Sequence, residues 1–376
     1  MSTAQVLHHL SLLKNPFSGR LRNYTTTVSI SLYCWQPSVW AGEEGCYSED
    51  TQKDEATASI LRLLTNLSQI EINFPPFSVR RWSEPWAAWA KTIAALEESG
   101  SAADGASRPF IRAIALHAIR PSMDPLLGRL LRAVAPNLNA LVLPTDSNHI
   151  YKAKDADFAA CWAAIHLHAA NLATLVISGV PVTTPDGPWA CAQSLRSLDI
   201  ASPPGLTPKL AYELICQFPG LRNVALQSIR LRIASILPPR DAPYISTYTG
   251  LPIGTPTTPE ASVGAETMRT QSPISLQSLS LSSLDIDFVA ALTSLGTTTL
   301  HLQVIHRSTT LLHLLKQPSA FVGLSRMVVG NEEGMQGGIF GWLGSEEMEE
   351  LKAVCKERGC TFEDERFSRG TWTAVR

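Results

Sequence analysis

Apolar residues recur along the chain in one short cadence, apolar-x-x-apolar-x-apolar, whose last two positions alternate as the buried face of a strand should. It occurs at Leu67/Ile70/Ile72, Ile111/Ile114/Leu116, Leu138/Leu141/Leu143, Leu172/Leu175/Ile177, Leu195/Leu198/Ile200, Leu221/Val224/Leu226, Leu276/Leu279/Leu281 and Leu324/Met327/Val329. Shorter copies at Val28/Ile30 and Leu300/Leu302 carry Thr25 and Thr297 where the others begin with an aliphatic residue. Measured between middle residues, the steps are 42, 44, 27, 34, 23, 26, 55, 21 and 27. Five of these nine fall in the roughly 20–29 residues of a leucine-rich repeat, and the longer steps hold insertions. Three copies run on for two more apolar positions, at Val180 and Val182, Ile229 and Leu231, and Leu284 and Ile286.

Helical periodicity fills the gaps. The stretches 125–136, 155–172, 207–220, 287–296 and 310–317 carry apolar residues at three- and four-residue spacing, and several end in Gly or Pro just before the next strand. Val6, Leu10 and Leu13 predict a capping helix within residues 1–20. Ser83 as N-cap and Pro85 in the first turn open another helix, with Trp86, Trp89, Ile93 and Leu96 on one face. That stripe reads as core on the convex side, with an interface hot spot as the alternative. The acidic residues Glu43, Glu44, Glu49, Asp50, Asp54 and Glu55 read as a solvated loop leading into a helix over 57–66.

Together these elements define an α/β fold: a leucine-rich-repeat solenoid of irregular strand-plus-helix repeats, a curved horseshoe with its parallel sheet on the concave face. An N-terminal capping helix or the remnant of a linker occupies 1–20, and about ten repeats occupy 21–376. A doubly wound parallel sheet is the competing α/β arrangement. The recurring Leu of the helix-to-strand corner favours the solenoid, since a buried strand centre does not demand it.

PGLRNVALQSIRL, NLATLVISGV and SLRSLDIA resemble the irregular leucine-rich repeats that follow the F-box in fungal F-box-like proteins, and EEMEELKAVCKERGC with TFEDERF is similar to their closing helix and strand. Two features depart from that family. The Asn or Cys usual after the repeat strand is replaced by Val180, Ile229 or Leu284, so no side-chain ladder of that type is expected along that turn. No F-box precedes the repeats: LPPRDAPYI (237–245) imitates its opening, but Pro243 argues against helices there. The resemblance therefore implies the substrate-recognition part of a ubiquitin-ligase receptor, with a Skp1-type adaptor as partner only if an F-box lies upstream.

Composition narrows the partners. The chain of 376 residues carries a formal charge of -2, which offers no cationic footprint for nucleic acid, and no apolar run is long enough to span a membrane. Its seven cysteines are scattered without a CxxC pair, which predicts reduced thiols and an intracellular location, cytoplasmic or nuclear. Residues 237–275, rich in Pro, Thr, Ser and Gly, read as a disordered insertion. Thr255, Thr258 and Ser272, each followed by Pro, are candidate phosphoacceptors there, with an inert spacer as the plainer alternative. The Gly-rich loop 330–345 fits neither phosphate-binding motif and reads as a mobile loop with Ile339, Phe340 and Trp342 packing back.

No GxSxG or HExxH string occurs, and His166 and His168 point to different sides of their helix. The expectation is a non-enzymatic protein-binding domain without catalytic residue, metal or cofactor. A regulator of a small GTPase or nuclease, and an F-box-free scaffold, are the alternatives, with a hydrolase as residual. Residues between the inward-facing positions should project from the concave sheet toward a protein partner: Gln69, Glu71, Arg112, Asn139, Thr174, Arg196, Asp199, Arg222, Gln227, Gln277, Gln303 and Arg326.

Overall fold

The computed structural model describes residues 3–15, 19–31, 44–73, 90–100, 111–117, 119, 121–144, 158–182, 187–201, 205–227, 274–282, 286–303, 308–330 and 345–364. Outside them lie nearly all of the insertion 237–275 with Thr255, Thr258 and Ser272, residues 331–344 with Ile339, Phe340 and Trp342, and Glu43, Ser83, Pro85, Trp86, Trp89, Ile229, Leu231 and Leu284.

One open sheet contains eleven parallel strands in chain order: β1 (Thr27–Ser31), β2 (Gln69–Asn73), β3 (Ala113–His117), β4 (Ala140–Pro144), β5 (Thr174–Ser178), β6 (Ser197–Ala201), β7 (Asn223–Gln227), β8 (Ser275–Ser282), β9 (Gly296–Gln303), β10 (Arg326–Gly330) and β11 (Thr361–Asp364). All ten apolar cadences are strands, and TFED supplies the eleventh. Parallel neighbours need a crossover, supplied mainly by helices. These are α1 (Thr3–Lys14), α2 (Gly19–Tyr24), α3 (Glu44–Leu63), α4 (Ala90–Gly100), α5 (Asp124–Val134), α6 (Ala159–His168), α7 (Pro208–Cys216), α8 (Ile286–Leu292), α9 (Ser308–Lys316) and α10 (Ser345–Glu357).

The chain parts into two compact units, Met1–Leu198 with Pro203–Gly205, and Asp199–Ser202 with Leu206–Arg376. In the N-terminal unit α1 packs on α3, α3 on α4, α4 on α5 and α5 on α6. The C-terminal unit repeats the scheme, with α7 on α8, α8 on α9 and α9 on α10. Val6, Leu10 and Leu13 are buried on α1, as their spacing predicts, and Val6 and Leu10 form a small core with Ala56.

The corner leucines Leu67, Leu138, Leu172, Leu195 and Leu221 are buried just ahead of their strands. Each corner hydrogen-bonds to the one before it. Arg112 N–H donates to Ser68 O at 2.8 Å, Asn139 N–H to Arg112 O at 2.7 Å, and Ala173 N–H to Asn139 O at 2.8 Å. A side-chain ladder joins the same corners: Asn66 Nδ2 donates to Asn23 O at 2.7 Å, Asn171 Nδ2 to Pro136 O at 2.7 Å, and Ser194 Oγ to Ala170 O at 2.7 Å. In the C-terminal unit Ser325 Oγ donates to Thr298 O at 3.1 Å. In the N-terminal unit the ladder thus runs through the helix-to-strand corner, where Asn or Ser precedes the first leucine, whereas Ser325 follows Leu324. Thr297 fills the leucine position of β9, buried, with its hydroxyl donating to Thr299 O at 3.1 Å.

The acidic segment corrects one expectation. Residues 44–63 are a single helix, α3, and no loop separates the acidic residues from 57–66. Asp54 is buried, because its carboxylate accepts Lys91 N–H at 2.9 Å and Thr92 N–H at 2.7 Å in the first turn of α4. The device recurs one helix pair later. Asp124 at the start of α5 accepts Ala160 N–H and Cys161 N–H, both at 2.8 Å, in the first turn of α6. A carboxylate there satisfies otherwise orphaned amides and meets the positive end of the helix dipole. Arg358 inverts the polarity in the C-terminal unit: its guanidinium donates to Leu315 O at 2.7 Å, in the last turn of α9, and to Ala320 O at 2.5 Å, past its end. Other helices are shorter than their periodicity predicts: α6 spans Ala159–His168 within 155–172, α7 Pro208–Cys216 within 207–220, and α8 ends at Leu292 because Gly296 already begins β9.

Candidate functional site: the bare face of the sheet

Residues of β3 to β6 alternate between buried and half-buried, so among the described residues helices cover one face of the sheet and leave the other open. In the N-terminal unit one row of that open face reads Ser29, Glu71, Ala115, Val142 and Val176, aligned by strand register. Ala113, Ala140 and Thr174 stand in the row before it. The centre of this face is therefore small and apolar, with polar groups toward β1 and β2. There Thr27 Oγ1 donates to Gln69 Oε1 at 3.2 Å, Asn73 Nδ2 lies 3.4 Å from both Ser29 Oγ and Glu71 Oε1, and His117 Nε2 meets Glu71 Oε1 at 3.2 Å.

In the C-terminal unit the same face carries Asn223, Ser278, Thr299, Arg326 and Thr361 in one row and Ala225, Ser280, His301, Val328 and Glu363 in the next, with Val328 buried, so that the face is covered at that point. Arg326 holds Glu363 in a two-pronged pair, Nε to Oε1 at 2.8 Å and Nη2 to Oε2 at 2.5 Å. That pair, helped by the charge of His301, keeps the Glu363 carboxyl below its ordinary range.

Seven of the twelve residues read from the sequence occupy open-face strand positions: Gln69, Glu71, Thr174, Asp199, Gln227, Gln303 and Arg326. Of the other five, Arg112, Asn139, Arg196 and Arg222 sit one step earlier, in the corner, and Gln277 takes the equivalent place within the longer strand β8, its N–H donating to Arg222 O. The cadence has two residues between its first and second apolar positions, and only the second of them joins the face. Arg196 shows the difference, since Nη1 turns back to Gln193 O at 2.6 Å. Ala115, Val142 and Val176, which define the floor, escaped the sequence reading because a search for polar contacts passes over them.

Asp199 on β6 is half-buried, and desolvation raises its carboxyl pKa. A carboxyl that binds its proton more tightly when folded favours the native state at low pH, and that contribution is lost as pH rises from the unfolded value through the folded one. Asp199→Asn is accordingly expected to be more stable than the parent at pH 7 and to lose that advantage below about pH 3. Urea unfolding at both pH values checks this; an equal or lower midpoint at pH 7 contradicts it.

Among the described residues no three His, Cys, Asp or Glu side chains gather as a metal-binding group, and no helix is long and apolar enough to cross a membrane. His166 is instead part of an aromatic cluster, its ring 5.7 Å from Trp189, which stands edge-on to Trp162 at 5.8 Å. Burial and the charge of Asp124 push the Cys161 thiol up, so it stays protonated. Compared with known proteins, the chain matches no family model, and no curated protein is significantly similar to it.

Proposed function

We propose that this chain is a non-enzymatic protein-interaction domain, a leucine-rich-repeat solenoid acting inside the cell and taking its partner on the open face of the sheet. The observation that supports this reading most is the floor of Ala115, Val142 and Val176. Half-buried small apolar side chains stand there on rigid strands beside the polar Glu71–His117 pair. Apolar centre and polar margin are the usual composition of a protein-binding patch. Rigid strands also reduce the ordering cost of association. The sequence resemblance adds the substrate-recognition part of an F-box receptor as the form this domain takes.

A photo-cross-linking side chain at Val142 tests the reading, with the same group at Glu98, exposed on α4, as control. One discrete protein is expected to cross-link from Val142 and not from Glu98, and Val176→Glu is expected to abolish the product while leaving the circular dichroism unchanged. Labelling from Glu98 alone, or none from Val142, removes the proposal. A Skp1-type adaptor among co-purifying proteins would support the receptor form; its absence beside a specific cross-link would favour a scaffold.

A further inference from the structure

Three sulfur atoms meet in the core behind the last strands. Met327 is a core-facing residue of β10, and the Cys355 thiol on α10 lies 3.6 Å from its Sδ. Cys360, just before β11, is close enough to Cys355 for each thiol to affect the other's ionisation. All three residues are buried. The two cysteines are brought together by the helix ending: Gly359 has φ +68°, and Cys360 N–H donates to Cys355 O at 2.8 Å. That bond closes a Schellman turn, in which the residues at its two ends place their side chains in contact. Such contacts are ordinarily between hydrocarbon groups. Here they are two thiols with a thioether beside them.

Burial raises both thiols, Cys355 to about 12, so the pair is protonated near neutral pH. The Arg358 guanidinium, fixed on Leu315 O and Ala320 O, acts on both thiols in the opposite direction.

We propose that Met327 Sδ, Cys355 Sγ and Cys360 Sγ form a three-coordinate site for one copper(I) ion. Soft thiolate and thioether donors select copper(I) over harder cations. A trigonal ion with metal–sulfur bonds of about 2.3 Å separates its sulfurs by about 4 Å, close to the 3.6 Å between Cys355 Sγ and Met327 Sδ. Binding forms three Cu–S bonds and releases the two thiol protons, with no change in copper oxidation state. Cu⁺ with two thiolates carries one negative charge, which Arg358 balances, so the buried assembly is neutral overall.

The test is a titration of the full-length reduced chain with copper(I) under anaerobic conditions, against a chromophoric copper(I) chelator. One equivalent is expected to be withheld from the chelator. Cys360→Ser is expected to weaken retention by at least a hundredfold, and Met327→Leu, which keeps the core filled, by about tenfold. Loss of two protons makes apparent affinity tighten about a hundredfold per pH unit near neutrality. Failure to withhold copper overturns the proposal. So does retention undiminished in folded Cys360→Ser, which places the ion on other cysteines, or an affinity independent of pH.

Discussion

Gly128→Ala is expected to lower the stability of the N-terminal unit by about 2 kcal/mol, although alanine is the better helix former by about 1 kcal/mol. Gly128 lies inside α5, buried, where a Cβ would come within 2.7 Å of the backbone carbonyl and Cβ of Ala160 in the first turn of α6. Real Cβ atoms do not approach backbone that closely, so α5 and α6 must separate. Separation also lengthens the bonds from Asp124, one turn earlier on the same face, to Ala160 and Cys161. At about 2–4 °C per kcal/mol, the melting midpoint should fall by about 4–8 °C. A rise in the midpoint would show that propensity dominates and that the helix contact relaxes freely.

Asp124→Ala is expected to cost about 2–3 kcal/mol. The substitution leaves two amides of α6 without their acceptor and removes a negative charge from the positive end of the helix. Asp124→Asn keeps one carbonyl oxygen and should lose about half as much. Hydrogen exchange resolves the cause, because the Ala160 and Cys161 amides should lose protection before their strand neighbours on β5. Uniform loss of protection across the unit would assign the effect to general packing. Asp54→Ala should repeat the pattern at Lys91 and Thr92.

Much of the fold was legible because a strand packed on one side must alternate, and the alternation survives every change in repeat length. Leu141 and Leu143 point inward whatever separates them from Leu175 and Ile177. The docking of one helix on the next was not legible. Asp54 looked like one more charge in an acidic run, and its burial depends on where α4 begins in space. Gly128, Asn66 and Asn171 drew no reading of their own from the sequence. Each acquires its role from a partner 32 to 43 residues away. For the candidate site, the sequence indicated which strands present it but not its centre. Period-two logic identifies outward positions without saying that Ala115, Val142 and Val176 align across neighbouring strands.

The corner ladder bears on how such a chain can change its length. Asn66 reaches a carbonyl 43 residues back and Ser194 one 24 residues back, yet both joints consist of one short donor on the preceding turn. A fastener that ignores the amount of chain between its halves lets insertions and deletions be absorbed where they arise, without slipping the register of any strand beyond them. The protein is thus built to tolerate rewriting of its outer segments over evolutionary time, and a designer could splice whole repeats in or out by cutting at the same joints.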